Sequence, residues 1–163
     1  MFQKEIDTIF HILQSNLSAN AWNGKECIKE MRESNYAHWR QMEWPGFYFQ
    51  FKCETLLSQN KLMNIPGPKF NNVEFDGRSN IPWDFKAHSI DPNKTDRERI
   101  PTNGYKETVM AIEEYGNIGF IIITGLTEYD DSNQSFKKWH DEYKGGISHY
   151  EAKRIRRSAR SRR

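Results

Sequence analysis

The chain is poor in the features that classify a protein at a glance. No apolar run approaches the roughly 20 residues needed to cross a bilayer, so no membrane partner is expected. The opening MFQKEIDTIF carries acids and no long apolar block, unlike a signal peptide. Only two cysteines occur, Cys27 and Cys53, far apart and without metal-ligand spacing. They read as reduced thiols, which fits a cytoplasmic protein. A glycine-rich phosphate loop, a dinucleotide fingerprint and an internal repeat are all missing, and no Ser/His/Asp arrangement exceeds what chance supplies. Nucleotide-fold enzymes, repeat scaffolds and triad hydrolases are thereby removed as first readings.

What is present is a polar chain, with a mean hydropathy of -0.90. Aromatics are 13% of its 163 residues and supply much of the area available for burial. That length suits one domain, 1–163, with a real core. The net charge of +2 conceals a division: the stretch Lys153–Arg163 holds seven of the 24 Lys and Arg residues and no acid. The remainder then carries 17 basic against 22 acidic residues. Basic character gathered at one end suggests an element that binds a polyanion, or a solvated tail.

In chain order, a helical part comes first, over about residues 1–60. Phe2, Ile6, Ile9, Phe10, Leu13 and Leu17 recur at helical spacing and predict an amphipathic helix over 2–18. A second helix is expected at Lys25–Glu33, and a third within Tyr36–Gln59, kinked or restarted at Pro45. In that segment Trp39, Glu43, Phe47, Gln50 and Glu54 follow helical steps, which puts two acids on a largely apolar face. Glu43 reads equally well as a helix-start acid favoured by the dipole and as a residue beside a metal. The rigid run Ile65-Pro66-Gly67-Pro68 leads to two short strands, Val73–Asp76 and Ile81–Ala87, joined by a turn at Gly77-Arg78-Ser79-Asn80. A loop over Ser89–Pro101, a helix at Gly104–Tyr115 stopped by Gly116, and a continuous apolar strand at Asn117–Thr124 complete a hairpin–helix–strand core over 65–125. The apolar run predicts a strand buried on both faces, and strand–helix–strand at this spacing predicts a parallel crossover in an α/β sheet. The rest, 134–163, reads as a helix at Gln134–Lys144, closed by Gly145-Gly146, and then a basic helix whose Ser148 and Glu151 form a capping box.

The chemistry concentrates in the hairpin. Side chains alternate faces along a strand, so Trp83, Phe85 and Ala87 share the core face while Asp84, Lys86 and His88 share the other. Carboxylates gathered this closely repel unless a cation sits among them. An acid followed two residues later by lysine occurs three times, at Asp84/Lys86, Glu142/Lys144 and Glu151/Lys153. The last two fall in predicted helices, where residues two apart do not face each other. Only Asp84/Lys86 lies on an extended segment with another acid, Asp76, across a turn. His88 reads as a polar strand end or a phosphate contact, His140 as an exposed or capping residue, and His149 as an unremarkable first-turn residue of the last helix.

Asp76-x7-Asp84-Phe85-Lys86 resembles the PD-(D/E)xK motif of restriction-endonuclease-like nucleases, most nearly type II restriction endonucleases. The likeness in organisation covers about residues 36–125, though only three or four positions match as residues. Phe75 stands where the motif name has Pro, and Asp84 is an acid that the motif permits. The resemblance implies an α/β fold, a central mixed sheet flanked by helices, with helices at the N-terminal end and a basic helix at the C-terminal end. It implies Mg²⁺ held by Asp76, Asp84 and the backbone carbonyl of Phe85, with an acid from the preceding helix, Glu43 or in second place Glu54. Lys86 would activate or orient the attacking water. Lys153, Arg154, Arg157 and Arg160 are the residues expected to contact double-stranded DNA. Cleavage of both strands of a symmetric site favours a homodimer, in a bacterial cytoplasm. A repair or junction-resolving nuclease of the same fold is an alternative, and so is a non-catalytic nucleic-acid-binding protein with a structural acidic hairpin.

Overall fold

The computed structural model describes residues 2–17, 21–90, 102–128 and 134–146. The chain divides into two compact units, Met1–Thr127 and Glu128–Arg163. The first carries α1 (Phe2–Asn16), α2 (Gly24–Glu33), a 3-10 turn (Ala37–Arg40), α3 (Trp44–Gln59), β1 (Lys69–Phe70), β2 (Val73–Glu74), β3 (Gly77–Arg78), β4 (Pro82–Ile90), α4 (Tyr105–Tyr115) and β5 (Gly119–Leu126). The second carries α5 (Ser135–Tyr143), followed by Gly145 and Gly146 at positive φ, as the Gly-Gly stop predicted. The class is α/β, with a three-stranded mixed sheet and a separate two-stranded one. No described helix is long and apolar enough to cross a membrane.

Local chemistry explains the helix limits. Asn23 caps α2, its side chain accepting from the amides of Lys25 and Glu26 at 3.0 and 3.4 Å. Pro45 lies in the first turn of α3, where its missing donor costs nothing, so the expected kink is a restart after the 3-10 turn. Gly116 ends α4 at φ 80°, a backbone angle that glycine adopts without strain.

The sheet runs β3–β4–β5, with β3 antiparallel to β4 and β4 parallel to β5 along eight register pairs from Trp83↔Gly119 to Ile90↔Leu126. α4 lies between the parallel strands in the chain, so the crossover is present as expected. α3 packs on β4, and the apolar face of β4 (Trp83, Phe85, Ala87) joins Ile9 and Leu13 of α1 and Phe49, Cys53 and Leu57 of α3 in the main core. A smaller core of Phe70, Phe75 and Ala111 lies under α4.

Two expectations need correction. The predicted first hairpin strand, Val73–Asp76, divides: Val73 and Glu74 pair back onto Phe70 and Lys69, while the residues read as a turn, Gly77 and Arg78, form the strand that pairs with β4. Asn71 at φ 52° permits the tight β1–β2 turn, which leaves Asp76 at the junction of the two sheets. The apolar run of β5 is not covered on both faces. Ile121 and Ile123 join the core, but Ile122 is 47% and Leu126 71% exposed. A run of isoleucines reads the same whether one face or both are buried, and among the described residues β5 pairs on one side only.

Gly119 is required where β5 meets β4. A Cβ there would collide with the six-membered ring of Trp83, which is buried and donates through Nε1 to Ser79 Oγ at 2.8 Å. Gly119→Ala is therefore expected to lower unfolding free energy by about 1–3 kcal/mol, read as a shift in the urea midpoint with the slope unchanged.

Candidate active site

The site is built around Asp76, which sits in the connection between β2 and β3. Its Oδ2 accepts from the Phe85 backbone N–H at 2.6 Å, tying the acid to the strand that carries the rest of the motif. The connector fixes it from the other side. Gly67 N–H donates to Phe75 O at 2.9 Å and Phe75 N–H to Pro68 O at 3.0 Å. A Cβ at Gly67 would lie 2.6 Å from the carbonyl oxygen of Gly77 and 2.8 Å from that of Phe75, so only glycine permits this close passage beside Asp76.

Asp84 projects from β4 away from the core and is nevertheless only 3% exposed. Lys86, two residues on and on the same face, places Nζ 2.8 Å from Asp84 Oδ2. That oxygen has no aligned hydrogen-bond partner, so the contact is one of charge rather than of directed hydrogen bonding. The carboxyl of Asp84 also abuts that of Asp76. Burial first, and then the neighbouring Asp84 carboxyl, push the Asp76 carboxyl up to about 7, against the opposing pull of the Phe85 N–H and the Lys86 charge. A buried acid, a half-buried acid and one lysine thus share a space that is short of positive charge.

A pocket of about 400 Å³ opens beside Asp76, lined among others by Tyr36, His38, Gln50, Glu54 and Glu74. Gln50 donates to Glu54 at 2.8 Å along α3. Burial raises the Glu54 carboxyl, although Gln50 and Tyr36 oppose the shift. The Tyr36 hydroxyl is buried and pushed above its ordinary range by burial and by the charges of Glu54 and Asp76. The same two acids add to burial in raising the Cys53 thiol. These mutual effects mark Asp76, Glu54 and Tyr36 as electrostatic neighbours.

Of the two helix acids suggested by the sequence, Glu54 lines this pocket and Glu43 does not. Glu43 is exposed and occupies the position just before α3, without a side-chain capping bond. Eleven residues at 1.5 Å each separate the two by about 16 Å along the helix, so Glu43 stands at the helix start, away from the pocket. His88 continues the Asp84–Lys86 face of β4, half-buried. His140, expected at the surface, is completely buried in α5, with its ring near those of Phe136 and Trp139. His149, Lys153, Arg154, Arg157 and Arg160 lie outside the described residues. Tyr36 and His38 were not singled out in the sequence. Their only visible signal is the aromatic density of YAHWRQMEW, and it takes the fold to bring them against Asp76.

Among the described residues no group of three or more His, Cys, Asp or Glu side chains is arranged to hold a metal ion. The pair Asp76 and Asp84 fits a cation that needs only one or two carboxylates, because a buried Asp84 oxygen lacks a hydrogen bond and the acids crowd each other. Comparison with protein-family models, with curated proteins and with solved structures returns no match to this chain.

The raised Asp76 carboxyl makes a signed prediction. The unfolded carboxyl ionises near pH 3.9 and the folded one near 7. Between these values the folded state holds the extra proton, so Asp76 lowers stability as pH rises through that window. Asp76→Asn keeps an acceptor for Phe85 N–H and removes the ionisation. Its melting temperature should exceed that of the parent at pH 8 by about 2–4 °C for each kcal/mol relieved, and the gap should close toward pH 4. Thermal denaturation at the two pH values reads it.

Proposed function

We propose that this chain is a Mg²⁺-dependent endodeoxyribonuclease that hydrolyses phosphodiester bonds of double-stranded DNA, with the character of a type II restriction endonuclease. The observation that carries the proposal is the pairing of Asp76 and Asp84 across the β3–β4 hairpin, with Lys86 Nζ 2.8 Å from Asp84. This is the set that resembles PD-(D/E)xK, set beside a parallel crossover. The proposal includes the restriction-endonuclease-like form of the α/β fold, a bacterial cytoplasmic setting, and a homodimer acting on a symmetric site.

Asp76 and Asp84 would hold Mg²⁺, with the Phe85 carbonyl as a further donor and Glu54 standing in the pocket wall beside them. Bound there, Mg²⁺ supplies charge stabilisation for the phosphate and eases deprotonation of water. Lys86 keeps a positive charge beside Asp84 and is suited to orient water and phosphate. The reaction adds water across a P–O bond and yields a phosphomonoester and a free hydroxyl. A repair or junction-resolving nuclease uses the same chemistry, and digestion of a sequenced phage genome separates the two, since discrete bands mean site specificity and a smear means its lack.

A second reading has its own support. The Asp84–Lys86 contact is also what a purely structural ion pair looks like, in a nucleic-acid-binding protein without catalysis. Plasmid cleavage with and without Mg²⁺ decides. Asp84→Ala and Lys86→Ala should each reduce cleavage on the order of 10²-fold or more, Glu54→Gln should weaken it, and Glu43→Ala should leave it near the parent level. Mg²⁺ added to EDTA-treated protein should raise the melting temperature of the parent and not that of Asp84→Asn. Cleavage unaffected by Asp84→Ala and Lys86→Ala would falsify the assignment.

A further inference from the structure

The pocket is lined by Asp76, Glu54 and Glu74, so a polyanion approaching it needs cations nearby. The first unit supplies cations for this where the sequence had pointed only to the other end of the chain. On α2, Lys25, Lys29 and Arg32 follow at steps of four and three residues and are all exposed, so they form one stripe. At 1.5 Å per residue the stripe is about 10 Å long, about three phosphate steps of 3.4 Å along one strand of a duplex. The acids of α2, Glu26, Glu30 and Glu33, are each one position on, about 100° further round the helix. Glu30 is held there by Lys52 at 2.9 Å and the Tyr48 hydroxyl at 2.6 Å. Beneath both charged stripes, Cys27, Ile28 and Met31 face the core.

The stripe continues into the 3-10 turn. The guanidinium carbons of Arg32 and Arg40 lie 5.1 and 5.0 Å from the ring centroid of Trp39. A guanidinium resting on an indole loses rotational freedom while keeping its charge. The neighbouring residues Ala37 and His38, on the same turn, line the pocket that contains Asp76 and Glu54, as do Ser34 and Asn35 at the end of α2. Cationic stripe, arginine pair and acid-lined pocket are therefore contiguous along the chain.

We infer that α2 and the 3-10 turn form a phosphate track, in which Arg32 and Arg40, held on Trp39, grip the backbone of a DNA strand and lead it to the Asp76 pocket. This rests on the reading of the pocket as a nuclease site but is testable without cleavage. The full-length protein, kept in EDTA, is titrated against a fluorescently labelled duplex over a range of salt concentrations. The double variant R32Q/R40Q should bind at least about tenfold more weakly. Its plot of log affinity against log salt should be shallower by about two, one for each lost phosphate contact. R32K/R40K, which restores both charges, should recover the slope. K4Q/K106Q, which removes two exposed charges elsewhere in the unit, should bind like the parent.

Unchanged affinity and slope in R32Q/R40Q overturn the track, as do an equal loss in K4Q/K106Q and a parent protein that does not bind DNA. Adding Mg²⁺ to the same samples tests the other reading separately. A parent that binds through the arginines but never cleaves retains the track and loses the nuclease. A parent that cleaves while R32Q/R40Q binds normally does the reverse.

Discussion

Everything distinctive in this fold follows from one unfavourable contact, the placement of a nearly buried aspartate against a second carboxyl. Isolated carboxylates resist burial, and two together resist it more. The chain holds them together with the Phe85 amide, the lysine two residues along the strand, and a connector whose glycine passes closely beside Asp76. These elements act on the electrostatics of one small volume, a pattern shared by functional sites and structural ion-pair networks.

The surrounding architecture can be understood as support for that volume. β4 does two jobs through its alternation: Trp83 and Phe85 anchor it to α1 and α3, while Asp84 and Lys86 face the other way. Because α3 packs on β4, its Gln50–Glu54 face is held at a fixed height beside Asp76, and the turn before α3 closes the pocket with Tyr36 and His38. β5, joined by the parallel crossover, stiffens β4 along its length and contributes Ile121 and Ile123 to the same core.

Much of this was legible in the residues. Hydrophobic spacing located α1 and α4, the expected helices at Lys25–Glu33 and Gln134–Lys144 match α2 and α5, and Pro45 marked the restart of α3 because its chemistry leaves few other options. The face alternation of β4 was readable since its two residue sets differ sharply in polarity. The division of Val73–Asp76 was not readable, because whether Gly77 and Arg78 turn or pair depends on partners supplied by β1 and β4. The exposure of β5 escaped for a related reason, as hydrophobicity without alternation carries no face information. Between Glu43 and Glu54 the sequence offered two acids on one helical pattern, and only the break at Gln41–Glu43 decides which one reaches the pocket. His140 read as exposed or capping because it lacks a partner at metal-ligand spacing, a criterion blind to the aromatic rings of Phe136 and Trp139 packed near it.

The two thiols give the fold a built-in reporter. Cys27 and Cys53 are both buried and free, in α2 and α3, and burial pushes the first up to about 12 and the second higher still. Alkylating reagents attack the thiolate and need access to it, so a closed molecule offers them neither. Labelling then proceeds through opened molecules, and its rate counts the openings. Since Cys53 lies one residue before Glu54 and its charge environment includes Asp76, the labelling of that single position tracks the integrity of the pocket itself, in the unmodified chain and under the conditions of any assay.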